Sequence, residues 1–153
     1  MSNLNIVFLG TGTSERVPRV TCLSKKQVDC TVCIDALNPG SKNFRRNTSI
    51  LIQYEDSERL KRNVVIDTGK SFYESALSFF PQLRIDSIDA VIISHAHADA
   101  IGGLDDLRDW TNNAQKMIPV FVRDTDMRAI SKTHFYLVDR SLSTNGGGVA
   151  NLN

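Results

Sequence analysis

Two histidines and an aspartate, spaced two residues apart, follow an apolar run near the middle of the chain. They are His95, His97 and Asp99, directly after residues 91–94. Side chains at i and i+2 of an extended segment lie on the same side, so the two imidazoles can face one ion if the extended geometry persists into the loop. Asp99 continues the alternation and can address the same ion or a second one about 3.5–4 Å away. This donor set suits Zn²⁺, Mn²⁺ or Fe²⁺ rather than Ca²⁺.

The alternative for these histidines is a structural one, in which they end a strand and satisfy local hydrogen bonds. Three metal-type donors in one alternating run favour the metal site. The residues that follow have helical spacing: Asp105, Asp106 and Arg108 come after the two glycines at 102–103. Arg108 could bind a substrate phosphate through two parallel hydrogen bonds. It could equally form an i,i+3 pair with Asp105 on a solvated face.

The three cysteines form a second candidate site. Cys22, Cys30 and Cys33 have the pattern C-x7-C-x2-C, and three thiolates with one further ligand make a closed tetrahedral zinc site. The alternatives are three reduced thiols or a Cys-x-x-Cys redox motif, but no thioredoxin-like context follows Cys30. An odd number of cysteines fits poorly with a disulfide framework. The basic residues at 42–46 could attract phosphate, although such a cluster is more often a solvated loop.

The elements that must position these residues can be assigned from apolar periodicity and from turn residues. A glycine-rich turn at 10–14 follows the first strand, and residues 16–46 are loop-like. Ser71 and Glu74 form a capping box at the start of one helix, and Pro81 ends it. We expect buried strands at 4–9 and 88–94, further strands at 48–54, 63–66, 118–122 and from 149, and helices at 71–81, 102–110 and 125–135.

The composition describes a single globular domain covering residues 1–153. Hydrophobic residues make up 41% and charged residues 23% of the chain, which is typical of a folded, soluble protein. The net charge of +1 gives no footprint for nucleic acid or an anionic membrane. Apolar runs are too short to span a bilayer. With no signal peptide evident, we expect a cytoplasmic, reducing location.

Four motifs in order carry a family resemblance. They are Gly10–Ser14, the cysteine loop, Asp67-Thr68-Gly69, and the run from His97 to Arg108. With these motifs the chain resembles the metallo-β-lactamase superfamily, and within it the branch similar to the cyclic-phosphate phosphodiesterase of phosphonate catabolism. The resemblance implies an α/β fold, the N-terminal half of an αββα sandwich with a mixed β-sheet and flanking helices.

The resemblance also implies roles for the site residues. His95 and His97 would bind a first catalytic ion and Asp99 a second, with Zn²⁺ or Mn²⁺ as the metal, and Asp99 would belong to the catalytic machinery. Asp67 would orient the metal loop by hydrogen bonding, although a plain turn aspartate is the alternative. The cysteines would hold a structural Zn²⁺ whose fourth ligand lies far downstream.

Two departures from the family pattern stand out. Ala100 occupies the position of a family histidine, so the second metal site is weakened, absent or completed by a residue such as Asp106. The remaining family ligands lie in a C-terminal half, and His134 falls within a predicted helix as a non-ligand. The chain is therefore expected to be a C-terminally truncated domain, with one sheet face uncovered and a tendency to self-associate.

The leading functional hypothesis is metal-dependent hydrolysis of a small phosphodiester by a metal-bound hydroxide. A tRNA 3′-processing activity uses the same motif, but this chain has no basic arm for RNA. A catalytically silent metal-binding or interaction fragment is the alternative from another class, and Ala100 and the early end of the chain favour it.

Overall fold

A five-stranded mixed sheet is the centre of the computed structural model, which describes residues 4–139 and 141. The strands lie side by side in chain order: β1 Leu4–Gly10, β2 Ser49–Glu55, β3 Lys61–Ile66, β4 Ala90–Ile92 and β5 Val120–Phe121. β2 is antiparallel to both β1 and β3, whereas β4 and β5 run parallel to β3. The carboxyl ends of β1, β3, β4 and β5 therefore share one edge. The predicted α/β class with a mixed sheet is confirmed.

Seven helices connect and cover these strands within the described residues. They are α1 Val20–Leu23, α2 Thr31–Asp35, α3 Phe72–Leu83, α4 Ala98–Ile101, α5 Arg108–Asn113, α6 Asp124–Thr133 and α7 Phe135–Val138, with a 3-10 turn at Leu104–Leu107. None of them is long and apolar enough to cross a membrane.

The core lies on one face of the sheet. Leu51 pairs with Val65 and Val65 with Val91 across three adjacent strands, and all three side chains are fully buried. Phe72 and Phe80 of α3 belong to the same buried cluster, and their rings meet edge to face with centroids 6.2 Å apart. Burial of each such side chain contributes about 1.5–3 kcal/mol. This packing holds α3 beneath the strands that carry the candidate site.

The opposite face of the sheet is apolar and exposed. Pairing places Leu4 beside Tyr54 and Ile92 beside Phe121 on that face. Because no other described element covers it, large apolar side chains stay open to solvent: Leu4, Ile6, Phe8, Tyr54, Ile92 and Phe121. The prediction that 4–9 and 88–94 are buried strands was therefore wrong for this face, and it holds only for the alternate residues that point to the core.

The start of α3 differs from the capping-box prediction. Ser71 precedes the helix but makes no side-chain cap hydrogen bond. Its hydroxyl instead accepts from the Asn47 amide nitrogen at 2.8 Å and donates to Asn47 Oδ1 at 3.3 Å. Pro81 does not end the helix, because a proline in the last turn removes only one hydrogen bond. The helix ends at Leu83, and Arg84 directly after it is left-handed with φ 55°.

Other predicted elements also have different bounds. The helix expected at 102–110 is divided into α4, the 3-10 turn and α5, and the helix expected at 125–135 ends at Thr133. The long loop at 16–46 contains the two short helices α1 and α2. The strand predicted from residue 149 lies outside the described residues.

Candidate metal centre

His95, His97 and Asp99 converge at the shared carboxyl edge of the sheet. They follow β4, and one ligand atom from each lies within 4.8 Å of those of the other two. The imidazole centroids are 4.9 Å apart, and His95 Nε2 lies 3.4 Å from an Asp99 carboxylate oxygen. The predicted alternation ends at His97, which is extended with φ −97° and ψ 158°. Asp99 reaches the cluster from the first turn of α4 instead.

Asp67 fixes the conformation at the base of this loop. It follows β3 in a left-handed conformation with φ 61°, and its carboxylate accepts from the Ser94 amide at 2.7 Å and from the Ser94 hydroxyl at 2.6 Å. The Ser94 oxygen lies 2.9 Å from His95 Nδ1. Because the hydroxyl proton is donated to Asp67, that oxygen accepts from His95. The proton of the imidazole is thereby assigned to Nδ1, and Nε2 keeps its lone pair.

The donor atoms fit a divalent cation. With the proton on Nδ1, His95 Nε2 and the ionised Asp99 carboxylate are two acceptors 3.4 Å apart without a hydrogen between them. A cation between them converts this repulsion into coordination, and imidazole and carboxylate are ligands of Zn²⁺ and Mn²⁺. His95, His97 and Asp99 could therefore hold one ion together.

The charge state of Asp99 supports the same conclusion. Burial raises the pKa of Asp99, but hydrogen bonds, first of all from the Ser14 side chain and then from the backbone, act against it, and the pKa lies below its ordinary value. Ser14 belongs to the turn after β1. Lys70 Nζ donates to the Ser14 carbonyl at 3.3 Å. The carboxylate is thus ionised near neutral pH, with a cationic group close to the same turn.

Two further contacts fix the metal loop. The Ala96 amide, between the two histidines, donates to Asp126 Oδ1 at 3.2 Å, and Arg123 Nε and Nη2 both donate to Asp126 Oδ2 at 2.7 Å. Sequence reasoning missed Asp126. Its only local signal is the i,i+3 spacing with Arg123, which predicts an ion pair within one helix. That spacing does not predict a contact with a loop 30 residues away.

The turn at Asp67-Thr68-Gly69 packs directly on the loop backbone. The Thr68 amide donates to the Ala100 carbonyl at 2.8 Å, and the Gly103 amide donates to the Thr68 carbonyl at 2.7 Å. A Cβ on Gly69 would lie 1.9 Å from the Asp99 carbonyl oxygen. Only glycine permits this approach.

The other predicted residues lie away from the cluster. Ala100 is 1% exposed and belongs to the core. Asp106 borders a separate groove beside Trp110, and burial followed by the charge of Asp105 raises its pKa. Arg108 forms the i,i+3 pair with Asp105 at 3.5 Å. His134 caps the end of α6, and burial lowers its pKa.

The three cysteines form a second group of donors. The sulfur atoms of Cys22, Cys30 and Cys33 all lie within 4.8 Å of one another, and none is in a disulfide. Hydrogen bonding from Cys33 lowers the pKa of Cys30 and raises that of Cys22. Cys33 is buried, and its sulfur accepts from the Arg19 amide at 3.5 Å. Three soft donors in this arrangement could provide three of the four ligands of a zinc site.

Comparisons with known proteins concern the family and the fold of the chain. The model of a family described as Beta-lactamase superfamily domain matches residues 62–147. An octanoyltransferase of Porphyromonas gingivalis (strain ATCC BAA-308 / W83) is 37% identical over 105 residues, which are 69% of this chain and 18% of that protein.

Solved structures share the fold. A diphosphatase from the PhnP family is 27% identical with a TM-score of 0.70, over 99% of this chain and 50% of that one. Zn²⁺-bound PqqB from Methylobacterium extorquens is 19% identical with a TM-score of 0.65, over 100% of this chain and 45% of that one. This chain therefore spans about half the length of these two structures and under a fifth of the octanoyltransferase.

Proposed function

This chain belongs to the metallo-β-lactamase superfamily, and we propose that it acts as a metal-dependent phosphodiesterase. The superfamily is of the hydrolase type, and the relatives of this chain imply divalent metal ions. The observation that carries the proposal is the convergence of His95, His97 and Asp99 within 4.8 Å. Zn²⁺ and Mn²⁺ both match these ligands. We take the substrate to be a small phosphodiester, on the strength of the four motifs that resemble the phosphodiesterase branch of the family.

The residues of the chain prepare the site in three ways. The hydrogen bonds from Ser94 to Asp67 and from His95 to Ser94 keep the Nε2 lone pair of His95 available. Asp99 stays ionised because its pKa is low. The contact between Ala96 and Asp126 holds the loop between the histidines in place. A bound divalent ion would supply Lewis acidity, acidifying a water molecule and offsetting negative charge on the phosphoryl oxygens.

The cysteine cluster has a structural role in this proposal. Cys22, Cys30 and Cys33 would bind Zn²⁺ and fix the loop between β1 and β2, with a fourth ligand from outside the described residues. The loop is long and has only the short helices α1 and α2. A metal crosslink there would stabilise the approach to the turn at Gly10–Ser14.

A silent metal-binding fragment is the second candidate, and one observation favours it. Ala100 is buried in the core, so its methyl group offers no ligand for a second ion. A site with fewer ligands can bind an ion without the two-metal arrangement that many phosphodiesterases use. The two candidates differ in turnover and not in metal content.

Metal content and hydrolysis distinguish the candidates. We expect the purified chain to contain a transition metal by plasma mass spectrometry and to hydrolyse bis(p-nitrophenyl) phosphate. His97→Ala should lower both, whereas the matched control His134→Ala should change neither, since His134 lies outside the cluster. Metal without turnover would favour the silent fragment. A folded chain without any bound metal would refute both.

A further inference from the structure

A groove between α3 and α5 is separate from both groups of metal-type donors. Its volume is about 300 Å³, at the lower end of the roughly 300–1,000 Å³ that is typical of small-molecule sites. The apolar side chains of Leu77, Phe80 and Pro81 form part of its wall. None of the residues that line the groove belongs to the candidate metal centre or to the cysteine cluster. Any ligand of the groove would therefore be bound independently of a metal ion.

Two of the side chains that line the groove, Trp110 and Tyr73, combine an aromatic ring with access to solvent. The Trp110 ring packs against two phenylalanine rings of α3, with its centroid 5.5 Å from that of Phe80 and 6.0 Å from that of Phe72. These contacts fix the indole in position. Tyr73 is 57% exposed. Among aromatic side chains, tryptophan attracts a cation over its ring face most strongly, so the groove offers a fixed ring that suits a cation.

The charged residues that line the groove are all acidic. Asp86, Asp106 and Asp109 border it, and no lysine, arginine or histidine does. Among the described residues, none of these three carboxylates forms an ion pair. Asp109 accepts from Asn113 Nδ2 at 3.0 Å, whereas the Asp106 carboxylate accepts no hydrogen bond from the described part of the chain. Burial also raises the pKa of Asp106. A cation in the groove would stabilise the ionised form of this carboxylate.

We propose that this groove binds a small organic cation, in which an ammonium group is carried on an apolar body. The apolar body would lie against Leu77 and Phe80, and the ammonium group would lie beside Asp106 and Trp110. Hydrogen bonds between an ammonium and a carboxylate are stronger than those between neutral groups. A neutral molecule of the same shape would leave the Asp106 carboxylate without a cation, and an anion would be repelled by all three aspartates. The groove therefore selects for positive charge.

Fluorescence titration tests this site directly, because Trp110 is the single tryptophan of the chain. Phenethylamine, which is a cation at neutral pH, should change the emission of Trp110 in a saturable way. The neutral 2-phenylethanol has the same shape and should bind about tenfold or more weakly. Asp106→Asn should weaken phenethylamine binding about tenfold or more without weakening that of 2-phenylethanol. Asp124→Asn makes the same change on an exposed aspartate of α6 and should leave the affinity within about twofold.

Several results would overturn the cation site. They are the absence of a saturable change, equal affinity for 2-phenylethanol, and equal weakening by Asp124→Asn. Tighter binding of a short peptide with one lysine between leucines would overturn it in favour of a protein partner. Thermal unfolding without ligand shows whether each variant is folded, and if Asp106→Asn fails to fold, the exposed Asp109 decides through Asp109→Asn. Phenethylamine binding without hydrolysis of bis(p-nitrophenyl) phosphate would refute the proposed function and leave the cation site standing.

Discussion

Asp67→Asn should weaken metal binding without removing any ligand. The Asp67 carboxylate is 8% exposed and accepts two hydrogen bonds from Ser94. An amide of the same shape replaces one acceptor with an NH₂ donor. The Ser94 hydroxyl must then accept from that amide and donate to His95 Nδ1. The imidazole proton moves to Nε2, where it blocks the lone pair that faces Asp99.

The magnitude follows from these contacts. Loss of a hydrogen-bonding partner behind a metal-binding histidine costs about 10–100-fold in metal affinity, which is about 1.4–2.7 kcal/mol. The substitution also weakens the two hydrogen bonds that Ser94 donates to this nearly buried carboxylate. We expect the free energy of unfolding of the metal-free chain to fall by about 1.5–3 kcal/mol, which is the contribution of one hydrogen bond to a charged group.

Zn²⁺ titration in competition with a chelating dye measures the affinity, and imidazole ¹⁵N shifts report the tautomer of His95. Asp86→Asn is the matched control, because it makes the same change on an exposed aspartate that precedes β4, whereas the metal loop follows that strand. Zn²⁺ affinity that stays within about twofold of the unchanged chain, with His95 still protonated on Nδ1, would refute the reasoning from Ser94.

Three other changes test separate features. Gly69→Ala should lower the free energy of unfolding by about 1–3 kcal/mol in urea titration, because the new Cβ meets the Asp99 carbonyl at 1.9 Å; unchanged stability would contradict the close approach. Asp106→Asn should raise the Tm at neutral pH. Burial, and then the charge of Asp105, raises the pKa of Asp106 in the folded state, so the ionised carboxylate destabilises the folded chain at neutral pH. The gain in Tm should fade below about pH 4, where the carboxyl is protonated in both the folded and the unfolded state. A gain in Tm that is independent of pH would contradict this. Ile6→Lys should reduce self-association of the 153-residue chain in sedimentation velocity, since Ile6 is 56% exposed on the apolar sheet face; equal association would place the contact elsewhere.

The fold class was predicted by the resemblance of four motifs to a known family, whereas the positions of the strands were predicted from local apolar runs and turn residues. The polar residues after β4 marked its carboxyl end. The prediction that the extended alternation of the strand continues to Asp99 was wrong. It treated Asp99 as a continuation of the strand, whereas α4 begins at Ala98 and carries Asp99 in its first turn.

Contacts between distant segments explain the other differences. Ser71 has the local sequence of a helix cap, yet Asn47, 24 residues earlier, engages its hydroxyl. Asp126 supports the metal loop from 30 residues downstream. Propensity and spacing within one segment contain no signal for either contact. The Asp67 position was predicted by family resemblance, but Ser94 as its partner required the coordinates.

The order of the strands has a kinetic consequence. Among the described strands, only β2 and β3 are joined by a short hairpin, in which Glu55 pairs with Lys61. The cysteine loop separates β1 from β2 in the chain, and α3 separates β3 from β4. Contacts between residues near in sequence form early, and loop-closure entropy delays the rest. We therefore expect the β2–β3 hairpin to lead folding. The ligands at the end of β4 would assemble late, so metal ions in the refolding buffer should slow unfolding more than they speed folding.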